Sequence, residues 1–316
     1  MKDSVHQRSG SSETPSFVHL ASEPRRRRHR IFPRILACCF TLCLLALAWG
    51  FLIEPRILTT TRLTIEDPAI PESWDGAVIA FFSDVHVGTA YPVERLGRVA
   101  DAVNAARPDL ILFGGDLIDH RTPTDDAYAA AVSACLARMQ APRGQYAIAG
   151  NHDNRLRAEL NLMKSMLKDG GFQFLDNQSV FIDGLWLGGL EESYFGRPDL
   201  QKAFSMAGLA VDSQSVQEQD LAGAYRLVLM HQPDYAASLP AGSAGLILSG
   251  HSHNGQITFF GRPIITVSEG TKYAYGLYHL TNGSQLIVSR GLGTVGLPAR
   301  FCAPPELMLI TLRRSD

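Results

Sequence analysis

Cysteine is scarce: the chain has five in 316 residues, and Cys38, Cys39 and Cys43 crowd into one apolar run near the start. Only Cys135 and Cys302 remain for the body, too far apart for a disulfide framework or a zinc-knuckle spacing. Buried free thiols are the expectation for both. Basic charge is also short where it would matter. Up to Pro55, eight Lys/Arg face four Asp/Glu; from Arg56 onward 21 face 27, a net of −6. A body of that sign lacks the basic stripe that a general nucleic-acid surface needs, so no nucleic-acid partner is expected. The body has no repeat, low-complexity stretch or long linker. Charged residues at 19% and hydrophobic ones at 46% exclude a disordered or collagen-like chain.

One long apolar run stands out. Residues 1–34 read as a disordered, basic N-terminal segment ending in Arg25-Arg26-Arg27-Arg28-His29-Arg30 and Arg34. Residues 35–53 then carry no charge, and as a helix they would span roughly 28 Å at ~1.5 Å per residue, about one hydrocarbon core. Trp49 and Phe51 suit the far interface. A cleaved signal peptide would use Ala46-Leu47-Ala48, but that site lies inside the apolar run. A twin-arginine export signal would be less hydrophobic. A buried core helix would lack the flanking charge, and Ile35-Leu36-Ala37-Cys38 sits too early for a lipoprotein box. An uncleaved single-pass transmembrane anchor is therefore the expectation. The arginines stay on the cytoplasmic side of a bacterial inner membrane, and the body lies on the periplasmic or outer side.

The body, residues 56–316, alternates short apolar runs with helical stretches. Residues 77–82, 110–113 and 146–149 read as buried strands, separated by helices over 93–106 and 125–138. Residues 180–182 and 185–188 form a hairpin on the type I′ turn Asp183-Gly184. Further strands cover 226–230, 246–249 and 306–312. Such mixing of βα units with hairpins predicts an α/β body with two sheets.

Each polar cluster follows a predicted strand, where ligand sites of open α/β sheets collect. The residues are Asp84 and His86, Asp116, Asn151 and His152, His231, then His251 and His253. Five of the body's seven histidines fall among them. Oxygen and nitrogen donors in this mixture suit Mn, Fe or Zn, and the lack of cysteine argues against structural zinc. Asp84 and His86 are two apart, as are His251 and His253, so on extended chain each pair faces one way. Asp-x-His or Gly-Gly-Asp alone is ordinary turn chemistry; Gly-Asn-His-Asp and Gly-His-x-His are more specific, and the full set in order is more specific still.

Those motifs, Asp84-Val85-His86, Gly115-Asp116-Leu117-Ile118-Asp119, Gly150-Asn151-His152-Asp153, His231 and Gly250-His251-Ser252-His253, resemble the calcineurin-like metallophosphoesterase family. The residues 271–278 and 289–306 look like its membrane-anchored bacterial branch, some of whose members act as UDP-2,3-diacylglucosamine pyrophosphatases in lipid A biosynthesis. The resemblance implies a four-layer αββα sandwich of two mixed sheets flanked by helices. It implies two divalent metal ions, one held by Asp84, His86 and His253, the other by Asn151, His231 and His251, with Asp116 bridging. His152 faces the leaving group. Asn254 stands where that branch usually has glycine, and Glu191-Glu192 where it usually has Asp.

The expected activity is hydrolysis of a phosphodiester or pyrophosphate, small or lipid-linked, by water activated between two ions roughly 3.5–4 Å apart. His152 serves as general acid. Asp119 either supports the ligands from behind or caps a turn; Asp153 either orients His152 or caps a helix. Arg290 either binds phosphate or closes an inter-loop salt bridge. Competing readings are the specific UDP-2,3-diacylglucosamine pyrophosphatase, whose substrate is cytoplasmic, and a metal-binding scaffold with a degraded site, from which no ligand position is missing here.

Overall fold

Two six-stranded sheets take up the apolar runs of the chain. The computed structural model describes residues 28–210, 217–221 and 223–316; the residues 1–27, including most of the stretch read as disordered, lie outside these. In chain order the elements begin with helix α1 (Arg28–Ala48), strands β1 (Thr59–Glu66) and β2 (Val78–Phe82), helix α2 (Val93–Ala106) and β3 (Leu110–Phe113). Then come α3 (Asp126–Leu136), β4 (Gln145–Ala147), α4 (Arg157–Asp169), β5 (Gln173–Phe174), and the hairpin β6 (Gln178–Ile182) and β7 (Leu185–Gly189). Single turns α5 (Leu200–Ala203) and α6 (Glu218–Leu221) precede β8 (Tyr225–Leu229) and β9 (Leu246–Ser249). The chain finishes with a small hairpin, β10 (Thr258–Phe259) and β11 (Arg262–Pro263), then β12 (Gly276–His279), β13 (Gln285–Val288) and β14 (Glu306–Arg313).

One sheet has the order β1-β14-β2-β3-β4-β5, the other β12-β13-β9-β8-β7-β6. Strands β2 to β5 run parallel, as do β7, β8, β9 and β13, and antiparallel neighbours make both sheets mixed. Side chains alternate across a strand. Ile79 and Phe81 of β2 therefore enter a core between the sheets, with Leu112, Leu227, Leu248 and Ile310. Ala80 and Phe82 face the opposite way, against Leu96 and Val103 of α2, Leu136 of α3 and Met163 of α4. The outer face of the second sheet is covered more thinly, by Ala203 of α5 and by Ala236 and Leu239 of a 3-10 turn and its exit. The result is a mixed α/β sandwich of two sheets with helices outside.

Asp183 (φ 48°) and Gly184 (φ 88°) both adopt the left-handed region, as the hairpin's I′ turn requires. Asp125 caps α3 by accepting the amide of Tyr128 at 2.9 Å. The edge strand β1, with its half-exposed, β-branched pattern, was not anticipated, nor was α4.

Among the described residues, the chain divides into two units after Ala46. Helix α1 starts at Arg28 and so takes in the residues 28–34. Arg has good helix propensity, and Pro33, in the second turn, removes one intrahelical hydrogen bond. The span from Ile31 to Arg56 is the one stretch, among the described residues, long and apolar enough to cross a membrane. In the second unit, Trp49–Ile53 widens into a π-helix. There the Gly50 carbonyl accepts the Arg300 amide at 2.9 Å. The buried Glu54 carboxylate accepts the Trp49 indole N–H and the Ala303 amide, each at 2.6 Å. All five cysteines are free; Cys135 is half-buried and Cys302 exposed, so neither meets the expectation of a buried thiol.

Candidate metal centre

The polar clusters meet at the carboxyl ends of β2, β3 and β4 in one sheet and of β8 and β9 in the other. Asp84, His86 and His253 form one buried group whose donor atoms all lie within 4.8 Å of one another; Asp116, His231 and His251 form a second. Asp116 Oδ2 lies 3.2 Å from His231 Nε2 and 3.6 Å from His86 Nε2, so this carboxylate faces both groups. His253 Nε2 is 3.5 Å from Asp84 Oδ1.

The backbone that brings them together is not extended. Asp84, His86, Asp116, His251 and His253 all have φ between 47° and 68°. The same-face argument from spacing two therefore does not apply; tight left-handed turns aim these side chains. Cross-loop hydrogen bonds hold those turns. The amides of Asp84 and Val85 donate to the Gly115 and Asp116 carbonyls at 2.8 Å, and His251 N–H donates to both oxygens of Asp84. A Cβ on Gly150 would sit 2.1 Å from Asp116 Oδ1, and one on Gly250 2.4 Å from Asp84 Oδ2. The glycines of those two motifs are thus set by close approach to a carboxylate. Asn254, also left-handed at φ 50°, fills its glycine-like position because Asn tolerates that region.

The donor set suits divalent ions. Among the described residues, Asn151 Oδ1 is buried without a hydrogen-bond partner, and His231 Nε2 faces only the Asp116 carboxylate. His86 Nε2 meets His253 Nε2 at 3.2 Å, where two ring lone pairs repel unless a cation or a proton intervenes. His231 donates Nδ1–H to the Gly114 carbonyl at 2.8 Å, which leaves Nε2 for a ligand. His251 donates Nε2–H to the Ser268 carbonyl at 2.8 Å, which leaves Nδ1.

Burial lowers His86 to a pKa of about 4, against the pull of Asp116. His251 is lowered to about 4 by burial and by His231, and burial with His86 and Arg300 keeps His253 well below its usual value. These rings are neutral and ready to ligate. For His231, burial works downward, but Asp116 overrides it and raises the ring to about 10. Burial works upward on Asp116, yet His231 and His86 hold it well below the ordinary carboxylate value. Asp84 is raised to about 6 by burial.

Other residues have settled places. The His152 amide donates to Asp116 Oδ1 at 2.8 Å, and its half-exposed ring stands edge-on to His86, centroids 4.9 Å apart. Asp153 hydrogen-bonds backbone, accepting the amides of Asp116, Gly150 and Ile118 at 2.7–3.0 Å. Asp119 pairs with Arg121 across a turn. Arg290 Nη2 bonds the buried Glu306 carboxylate at 2.8 Å, the inter-loop salt bridge. Glu192 is buried and accepts the amides of Tyr194, Phe195 and Gly196.

Two residues escaped the sequence reading. Arg300, wholly buried, donates to the carbonyls of Arg290, Gly291, Gly293 and Ala303 and sets Nη2 3.4 Å from His253 Nδ1. Tyr194 donates its hydroxyl to the Ser268 carbonyl at 2.6 Å and lies 3.3 Å from His251 Nε2. Neither stands in a motif; Arg300 is a lone charge in an apolar stretch, and Tyr194 follows the Glu191-Glu192 pair.

Two facing groups of oxygen and nitrogen donors at one edge of paired sheets define a metal-dependent hydrolase site. The family model for the calcineurin-like phosphoesterase matches residues 77–255. The metallophosphoesterase YkuE of Bacillus subtilis is 34% identical over 271 residues, 84% of this chain and 88% of its own length. The UDP-2,3-diacylglucosamine pyrophosphatase LpxG of Chlamydia trachomatis is 25% identical, covering 83% of this chain and 91% of its own. A crystal structure of a dimetal phosphatase from Danio rerio shares 14% identity and a TM-score of 0.38, over 69% of this chain and 88% of that one. The chain belongs to the calcineurin-like phosphoesterase family. It is a metal-dependent phosphoester hydrolase.

Proposed function

We propose that this enzyme is a membrane-anchored hydrolase of a phosphodiester or pyrophosphate, with residues 35–53 as the anchor and 56–316 as the catalytic domain. The observation that carries the reading is Asp116 facing both donor groups. Asp84, His86 and His253 would hold one divalent ion, Asn151, His231 and His251 the other, and Asp116 both. Such ions supply an acidified water and neutralise charge on phosphoryl oxygens. The chain's own residues do the rest. His152, outside both groups and half-exposed, delivers a proton to the departing oxygen. The His231–Gly114 and His251–Ser268 hydrogen bonds fix which ring nitrogen points inward. Arginines 28, 30 and 34 at the start of α1 support a cytoplasmic N-terminus and an outward-facing body in a bacterial inner membrane.

The test is Asp116→Ala, with bound metal measured alongside hydrolysis of a chromogenic phosphodiester. Loss of both is expected; full activity with one ion or none overturns the assignment. The likeness to LpxG favours a second reading, a pyrophosphatase of UDP-2,3-diacylglucosamine. That substrate is cytoplasmic, so a C-terminal topology reporter active only in the cytoplasm would favour it over the outward-facing body.

A further inference from the structure

A cavity of about 360 Å³ opens directly beside His253. Its walls are aliphatic: Ile257, Ile264, Ile265, Val267, Val295 and Leu297. Much of that surface is open to water, with Ile265 74% and Leu297 46% exposed. The polar side chains at its rim are already engaged. Gln256 spans the two walls, donating Nε2–H to the Val295 carbonyl at 3.0 Å and accepting the Val295 amide at 2.6 Å. Ser252 donates its hydroxyl to the Ala274 carbonyl at 2.5 Å. The cavity is built, not incidental: a Cβ on Gly255 would lie 2.2 Å from the Ile265 carbonyl, and Ile264 N–H closes on the Ile257 carbonyl at 3.0 Å.

An occupant must therefore be apolar and need no hydrogen bonds. A nucleobase would leave its donors and acceptors unmet, at a cost that apolar burial does not cancel, and no Phe, Tyr or Trp lines the wall to stack on it. Because His253 forms part of the wall, an occupant of the cavity lies against one of the donor residues. The volume equals about a dozen water molecules at ~30 Å³ each, and a methylene is of similar size, so the cavity has room for a chain of up to about a dozen carbons.

We infer that the substrate carries a saturated hydrocarbon chain on its phosphoryl ester, and that this chain lies in the aliphatic cavity beside His253. The inference rests on the phosphoesterase reading above and narrows its substrate class. Burying a methylene favours binding about fourfold. With the cavity half open, an eight-carbon ester should gain on the order of a hundredfold over a two-carbon one.

The test uses the full chain in lipid nanodiscs with Mn²⁺. Hydrolysis of p-nitrophenyl octyl phosphate is compared with that of p-nitrophenyl ethyl phosphate, and calorimetry compares binding of octylphosphonate and ethylphosphonate. A large octyl preference is expected in both, and Ile265→Asp or Leu297→Asp should cut the octyl-to-ethyl ratio at least tenfold. Both side chains are exposed enough for the variants to fold. Equal treatment of the two chain lengths, or a preference that neither variant alters, overturns the inference and leaves the phosphoesterase reading standing. If neither ester is hydrolysed, that reading fails, and the phosphonate titration still decides about the cavity. Variants that lose only self-association would assign the face to a second copy, and overturn it.

Discussion

The carboxylate of Asp153 accepts the backbone amide of Asp116 at 2.7 Å, and in the same grip holds Gly150 and Ile118. It clamps two ligand-bearing loops, one after β3 and one after β4. Asp153→Ala leaves three buried amides unmet at about 1–3 kcal/mol each. Urea unfolding should show a loss of about 3 kcal/mol or more, with bound metal reduced. Asp153→Asn keeps one acceptor and should fall between. A variant with wild-type stability and metal content would remove the clamp from the account.

His152→Gln tests a proton donor that is not a ligand. Both ions should remain by elemental analysis, while turnover on a substrate with a poor leaving group falls about 10²–10⁴-fold. With p-nitrophenolate, which leaves unaided, the loss should be much smaller. Depleted metal would make His152 a ligand instead.

The proton on His231 has a readable consequence. Its pKa of about 10 means the ring is protonated at neutral pH when only Asp116 faces it. A metal ion must expel that proton, so metal affinity should rise with pH, about tenfold per unit up to the region of 10. Calorimetry in two buffers of different ionisation enthalpy should find close to one proton released for the ion held by His231. No release at pH 7 would contradict the protonated ring.

Arg300 satisfies four backbone carbonyls and, among the described residues, has no carboxylate within ion-pair reach. Burial lowers its pKa to about 10, so it remains charged at neutral pH. Arg300→Met should destabilise by about 3 kcal/mol or more. Arg300→Lys should recover only part, since an ammonium cannot reproduce the planar fork. Thermal unfolding of the three proteins ranks them; equal melting temperatures would refute the role.

The strand ends were legible because a buried strand must stop where polar residues begin, and the motif residues follow each stop. The sharing of two sheets was legible from the Asp183-Gly184 hairpin set among βα units. The left-handed geometry at Asp84 or His251 was not, since amides from other loops impose it and spacing carries no trace of them. Arg290 and Arg300 look alike in sequence: one meets Glu306, the other meets carbonyls and the His253 ring, and partners distant in the chain make the difference. Helix α4 did carry a signal, Leu160, Met163 and Leu167 at helical spacing, but its polar face diluted it.

Five non-glycine residues of the donor groups sit in left-handed backbone, each at a cost of order 1–3 kcal/mol. That conformational debt is tolerable only while the side chains serve chemistry. A descendant released from catalysis would gain stability by relaxing it, and glycine or asparagine should accumulate first at 84, 86, 116, 251 and 253. Decay of the activity would be dated by those substitutions well before the sheets changed.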